Sequence, residues 1–210
     1  TPSPIPGTED GDLDIARQWL AREGYTIARK AMREWMKKYG SSSPRYPEGI
    51  YVLGAAYLGE GDYRSAHDNF QKLLNDFPGS EYAEKALKAE FAVAEQYLAG
   101  KKRKAFFGIF RVKDREGGVK IMDDMVANYA DTPLAEMAQM SKADYYYSRG
   151  DFELAVDEYS AFATQFPTSG WRPRAMLQSG LSALASFPGV KFDDAGLVEA
   201  QERLRDFRQG

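Results

Sequence analysis

The chain has 210 residues, 43% hydrophobic and 28% charged, with a net charge of −3 and a sequence pI near 5.4. It has no cysteine and one histidine, His67, which excludes disulfides, thiolate metal sites, cysteine nucleophiles and multi-histidine metal sites. The acidic balance argues against nucleic acid as a partner, and no run of 18 apolar residues is present to cross a bilayer.

Residues 1–12, TPSPIPGTEDGD, are rich in proline, glycine and acids and read as a flexible lead-in or tether. Asp10, Asp12 and Asp14 alternate as in a calcium loop, but Ile15 and Ala21 stand where such a loop needs Gly and an acid. No metal or other cofactor is expected. A first helical hairpin is predicted over 13–39. Its first helix runs Leu13–Arg22 and stops near Gly24. Its second carries Tyr25, Ala28, Met32, Trp35, Met36 and Tyr39 on one face.

The second hairpin, 45–77, sets the pattern. Gly61 ends one helix, Asp62 caps the next, and Tyr63, Ala66, His67, Phe70, Leu73, Leu74 and Phe77 form a stripe closed by Pro78. Much of this returns 89 positions later as Gly150, Asp151, Phe152, Ala155, Tyr159, Phe166 and Pro167. Such spaced self-similarity marks a stacked repeat. A third hairpin, 80–130, is longer, with an insert at 101–113 before the stripe Val119, Met122, Met125, Val126 and Tyr129. The fourth, 132–167, opens on Thr132-Pro133, a cap followed by a residue pre-set for the first turn. The fifth, 170–208, ends in a charged helix suited to closing an array.

No catalytic constellation emerges, so no enzyme activity is expected. His67 lies on an apolar stripe, where a packed or edge histidine is the simpler reading. Asp123-Asp124 and Asp193-Asp194 are adjacent on helices and diverge. Gly117-Gly118 lacks the Lys and Ser/Thr of a phosphate loop. The basic run Lys101 to Lys104 reads either as cations at a helix C-terminus or as a contact for an acidic partner or anionic head groups. Phe106, Phe107, Ile109 and Phe110 either fold back to fill a gap or project towards a partner; mixed use with at least two rings buried is expected. Tyr145, Tyr146 and Tyr147 fan around a helix: Tyr146 falls in the core register, and its neighbours are candidates for a recognition surface.

Leu53, Gly54, Tyr57, Gly61, Ala66, Phe70 and Pro78 match the signature of the tetratricopeptide repeat, and the resemblance implies an all-α superhelix of about five helical hairpins in a single solenoid over 13–210. The segment AFFGIFRVKDREGGVKIMDDMVANYADTPLAEMA, with Phe106, Phe107, Gly108, Arg111, Asp114 and Arg115, resembles the central segment of the BamD family of outer-membrane β-barrel assembly lipoproteins. That resemblance implies a non-catalytic periplasmic scaffold in outer-membrane protein assembly. Its implied partners are a BamA-like POTRA domain, companion lipoproteins and unfolded outer-membrane proteins. The family's lipid-bearing cysteine would then lie upstream of Thr1. The candidate partner-binding residues are Phe106, Phe107, Arg111, Asp114, Arg115, Tyr145 and Tyr147. The alternative is another cell-envelope repeat scaffold, coordinating division or cell-wall work.

Overall fold

The computed structural model describes residues 4–105, 110–187 and 195–209. It divides into two compact units, 1–118 and 119–210. The first holds helices α1 (Glu9–Ala21), α2 (Tyr25–Tyr39), α3 (Tyr46–Gly59), α4 (Tyr63–Asp76) and α5 (Ala83–Leu98). It also holds strands β1 (Lys102–Ala105) and β2 (Phe110–Lys113) and the start of α6 (Arg115–Asn128). The second holds the rest of α6 with α7 (Pro133–Arg149), α8 (Phe152–Gln165), α9 (Arg172–Ser186) and α10 (Ala195–Gln209). Within each unit, helices adjacent in sequence pack as hairpins: α1 on α2 and α3 on α4 in the first, α7 on α8 and α9 on α10 in the second. The fold class is all-α, of tetratricopeptide-type hairpins, with one short strand pair set into it.

The hairpin corners among the described residues share one backbone solution. Gly61 N–H donates to Leu58 O and Asp62 N–H to Tyr57 O, at 3.0 and 2.9 Å. The same two bonds recur at Gly100 and Lys101, and at Gly150 and Asp151. This is the paired closure of a helix end that needs a left-handed residue, and Gly61, Gly100 and Gly150 have φ of 71°, 80° and 78°. In the first hairpin the left-handed residue is Glu23, at φ 60°, and not the neighbouring glycine expected to stop the helix. Gly24 is required for a different reason: a Cβ there would stand 2.7 Å from Cε3 of Trp19. A left-handed non-glycine residue costs about 1–2 kcal/mol, and glycine returns part of that as unfolded-chain entropy. Glu23→Gly is therefore expected to stabilise the chain by about 0.5–1 kcal/mol. A melting temperature unchanged or lowered in that variant rejects this account.

The second helix of each hairpin presents the same buried positions. Ala28, Met32 and Trp35 in α2 correspond to Ala66, Phe70 and Leu73 in α4, and to Ala155, Tyr159 and Phe162 in α8; all are at most 1% exposed. In α6 the small residue is Gly118, which packs under Tyr97 and Leu98 of α5, and Met122 and Met125 follow it in the core. A small residue here lets the two helix axes approach, and the larger ones fill the space between hairpins. The first helices answer with small residues of their own. A Cβ on Gly54 would meet the Phe70 ring at 2.6 Å, and one on Gly180 would meet Leu204 at 2.7 Å.

Three local expectations change. Helix α1 starts at Glu9 and not at Leu13, because Thr8 caps it by accepting from Gly11 N and acids occupy the first turn. Residues 9–12 are thus helix rather than lead-in. Asp62 does cap α4, accepting from Ser65 N, but Asp151 makes no such bond in α8. Its carboxylate is taken by Arg149 Nε at 2.9 Å. The third change is the insert, which contains an antiparallel strand pair where an all-α chain was expected. At Glu23-Gly24, Gly61-Asp62 and Gly150-Asp151 the left-handed residue and the helix cap are adjacent; here residues 101–113 separate Gly100 from Asp114. The alternation of β-branched or aromatic with charged residues in Phe110-Arg111-Val112-Lys113 suits a strand, and Lys102, Arg103, Lys104 and Ala105 pair with Lys113, Val112, Arg111 and Phe110.

Candidate protein-binding surfaces

In the first unit a polar cluster centres on Glu48, a carboxylate only 4% exposed on α3. Arg45 donates to its Oε2 from Nε at 2.8 Å and Nη2 at 2.6 Å, and Arg17 of α1 stands 3.1 Å from Oε1. Arg45 also pairs with Asp10. Burial raises the Tyr82 hydroxyl to about 12, helped by the neighbouring Glu48 carboxylate and by the charge of Glu81. The Tyr82 ring lies 5.6 Å from Tyr51, which in turn lies 6.1 Å from Phe70, and Lys85 covers Tyr82 at 4.6 Å. Beside this cluster is a pocket of about 580 Å³ walled by Pro44, Pro47, Phe77, Pro78 and Tyr82.

Across α4 and α5, His67 Nδ1 is 2.9 Å from Oε2 of Glu90, which is fully buried. This places the lone histidine at an inter-helix contact. Burial raises the Glu90 carboxyl above its ordinary value of 4.5; His67 and Gln71 pull it back only in part, and Asp68 adds to the rise. Glu90 therefore holds its proton to higher pH in the folded chain than in the unfolded one. Its contribution to stability is complete below about pH 4.5 and is lost as pH rises through the folded value. Glu90→Gln should gain stability relative to the parent between about pH 4 and pH 7. Denaturation at both pH values checks this, and a difference that stays flat rejects it.

The second unit carries a comparable set. Lys142 of α7, nearly buried, reaches Asp123 of α6 at 2.5 Å and Glu158 of α8 at 2.8 Å. Asp144 accepts from Tyr159 Oη at 2.5 Å and from Arg174 Nη2 at 2.7 Å. Burial, and then Asp144, push the Tyr159 hydroxyl well above its ordinary range. A pocket of about 400 Å³ beside α8, α9 and α10 holds Arg203, whose Nη1 donates to Ser160 Oγ and Ser179 Oγ.

The candidate residues fall as follows. Phe106 and Phe107 lie outside the described residues, as does the Arg111 side chain, whose backbone pairs with Lys104. Asp114 caps α6, accepting from Gly117 N at 3.1 Å, and the Arg115 guanidinium lies over Gly100. In the second unit Tyr145 is half-buried, 5.4 Å from Tyr146 and beneath Arg149 at 5.7 Å. Tyr147 is exposed and meets Phe152 edge-on at 5.5 Å. Tyr146 packs against the core formed by Met140, Ala143, Tyr159 and Phe162.

The three acids of the calcium-like pattern are held separately: Asp10 by Arg45, Asp12 by Gly7 N, Lys38 and Tyr39, and Asp14 by Arg17. Among the described residues no cluster of three or more His, Asp or Glu is arranged to hold a metal ion, and no helix is long and apolar enough to cross a membrane. Glu48, Glu90 and Lys142 were missed in the sequence. Each is a charge inside an otherwise apolar helical stripe, Lys142 for example lying four residues from both Ala138 and Tyr146. That spacing is the signal that could have found them. Facing opposite charges or hydroxyls, these groups fix side-chain positions.

No protein-family model matches the chain, and no curated protein matches it either. Among solved structures, it aligns with a MamA RS-1 ArsTM double mutant at 16% identity and a TM-score of 0.49, over 96% of this chain and 94% of that one. It also aligns with the nearly identical TPR-like repeats of a protein assigned as a Podosopora anserina kinesin light chain, and with a point variant of the same repeats. Both matches have 17% identity and a TM-score of 0.48, over 94% of this chain and 92% of theirs. The repeat type is fixed by the chain's own corners and helix faces.

Proposed function

We propose that this chain is a non-catalytic scaffold that binds protein partners through its helical hairpins, acting in outer-membrane protein assembly on the periplasmic side. The observation that carries the reading is the strand pair set between Gly100 and Asp114. The corners at Glu23-Gly24, Gly61-Asp62 and Gly150-Asp151 close with no intervening residue, so a corner of this type forms without an insert, and the insert occurs in the segment that resembles the BamD family. Its expected partners are a BamA-like POTRA domain, companion lipoproteins and unfolded outer-membrane proteins. Aromatic and charged walls of the kind formed by Tyr51, Tyr82 and Lys85 suit extended or helical peptides.

Depletion in cells, with measurement of outer-membrane barrel proteins, tests this together with pull-down of POTRA domains. Reduced barrel proteins and POTRA capture are the expected results. Normal barrel levels in depleted cells overturn the assembly role, and co-purification with division or cell-wall proteins in place of a BamA-like subunit selects the other envelope scaffold.

A further inference from the structure

The leading face of the first hairpin departs from the packing that follows it. Helix α2 lies on α3 and α4 on α5, so each of these leading helices carries the closing helix of the hairpin before it. Among the described residues α1 packs chiefly on its own hairpin partner α2 and on α3. The first hairpin falls on the second with a shift of 38 positions, Glu23 on Gly61, Ala28 on Ala66 and Trp35 on Leu73. In that register Ile15 and Trp19 of α1 stand where α3 has Leu53 and Tyr57. Leu53 is only 9% exposed, and both it and Tyr57 belong to the core that Met32 and Trp35 of α2 help to form.

At the leading face the apolar groups are uncovered. Trp19 is 37% exposed on α1 and Ile27 46% on α2. One turn along from each, Ile15 and Ala31 line, with Trp35, a pocket of about 390 Å³ rimmed by Asp12 and Lys38. The charge is also reversed. On α3, Arg29 of α2 pairs with Glu60 at 2.6 Å and lies over the Tyr57 ring at 5.7 Å. The residue of α1 equivalent to Glu60 is Arg22, and each is the C-cap of its helix. Arg22 is exposed and has no ion-pair partner among the described residues.

We infer that this face docks an amphipathic helix of a partner protein, lying on α1 as α2 lies on α3. A helix repeats its apolar side chains at one-turn spacing, which is the spacing of Ile15 and Trp19. In the place of Arg29 that helix brings an acid, to meet Arg22. A second copy of this chain is the poorer fit. Its other terminal helix, α10, exposes Leu197 and Val198 in its first turn but Gln201, Glu202 and Arg205 beyond it. The inference stands apart from the proposed function: it concerns the start of the hairpin series, whatever the other surfaces bind.

The test is fluorescence anisotropy of a labelled synthetic peptide with the α2 sequence, residues 24–40, carrying Arg29→Glu, titrated with the full chain. That sequence already fits the equivalent face of α3, and the substitution supplies the acid. Saturable binding is expected, about two- to fivefold tighter than that of the unsubstituted peptide. Arg22→Glu in the chain should invert the preference, and Trp19→Ala should weaken both peptides by about tenfold or more. Because Arg22 is exposed, the inversion stays readable even where Trp19→Ala disturbs the corner; melting temperatures show which variants are folded. Absence of saturable binding by the parent overturns the inference. So does a preference that Arg22→Glu leaves unchanged, which would seat the peptide on another face. In sedimentation of the chain alone a monomer is expected; self-association abolished by Trp19→Ala would make a second copy the occupant and overturn it too.

Discussion

Phe70→Ala is expected to cost about 3–5 kcal/mol, enough to threaten the first unit. The ring is fully buried, lies 6.1 Å from Tyr51 and covers the backbone of Gly54. Removing it deletes transfer energy and leaves a cavity that helices on both sides hold open. The complementary change, Gly54→Leu, should cost about 1–3 kcal/mol by overpacking, since even a Cβ at that position would stand 2.6 Å from Phe70 Cε1. Together the two should cost less than their sum, because the introduced leucine would enter the space that Phe70 vacates. Urea denaturation of the parent, both single variants and the double variant provides the cycle. Strict additivity would mean that Gly54 and Phe70 do not meet.

Lys142→Ala is the second large effect. The ammonium is nearly buried between Asp123 and Glu158. Breaking such a group from one side costs about 3–5 kcal/mol when the abandoned charge stays dry. Asp123 is half exposed and rehydrates, so the expectation is the lower end, about 3 kcal/mol. Lys142→Met, which keeps the packing, should still lose most of that. Burial lowers the Lys142 pKa, but the hydrogen bonds to the two carboxylates raise it by more, and the net shift is above 10.5. The contribution is therefore complete below about pH 10.5 and is lost only as pH climbs through the folded value. Stability of Lys142→Met against the parent, measured near neutrality and in strong alkali, should converge at the alkaline end. A gap that persists there would assign the loss to packing.

The hairpin plan was legible because it is written twice. Ala66, Phe70 and Pro78 recur as Ala155, Tyr159 and Pro167 at one offset, and apolar spacing fixes which face is inward. What was not legible depended on contacts between distant residues. Gly24 looks like a helix stop, yet the left-handed residue is Glu23, and Gly24 instead makes room for the Trp19 ring. Asp151 has the sequence of a cap, yet Arg149 takes its carboxylate. Lys101 to Lys104 read as the charged end of a helix, and only pairing with Phe110–Lys113 makes Lys102–Ala105 a strand. Of the candidate surface residues, Tyr145 and Tyr147 could be placed around Tyr146 by helical geometry alone. Their contacts with Arg149 and Phe152 required the neighbouring turn.

The closure at Gly100 has a practical consequence for engineering. Residues 101–113 stand between a left-handed glycine and the acid that opens the next helix, and the bonds on both flanks are made. The equivalent seams, Gly61-Asp62 and Gly150-Asp151, are thus ready-made cloning junctions where an epitope or a reporter peptide could be grafted without unpicking either neighbouring coil.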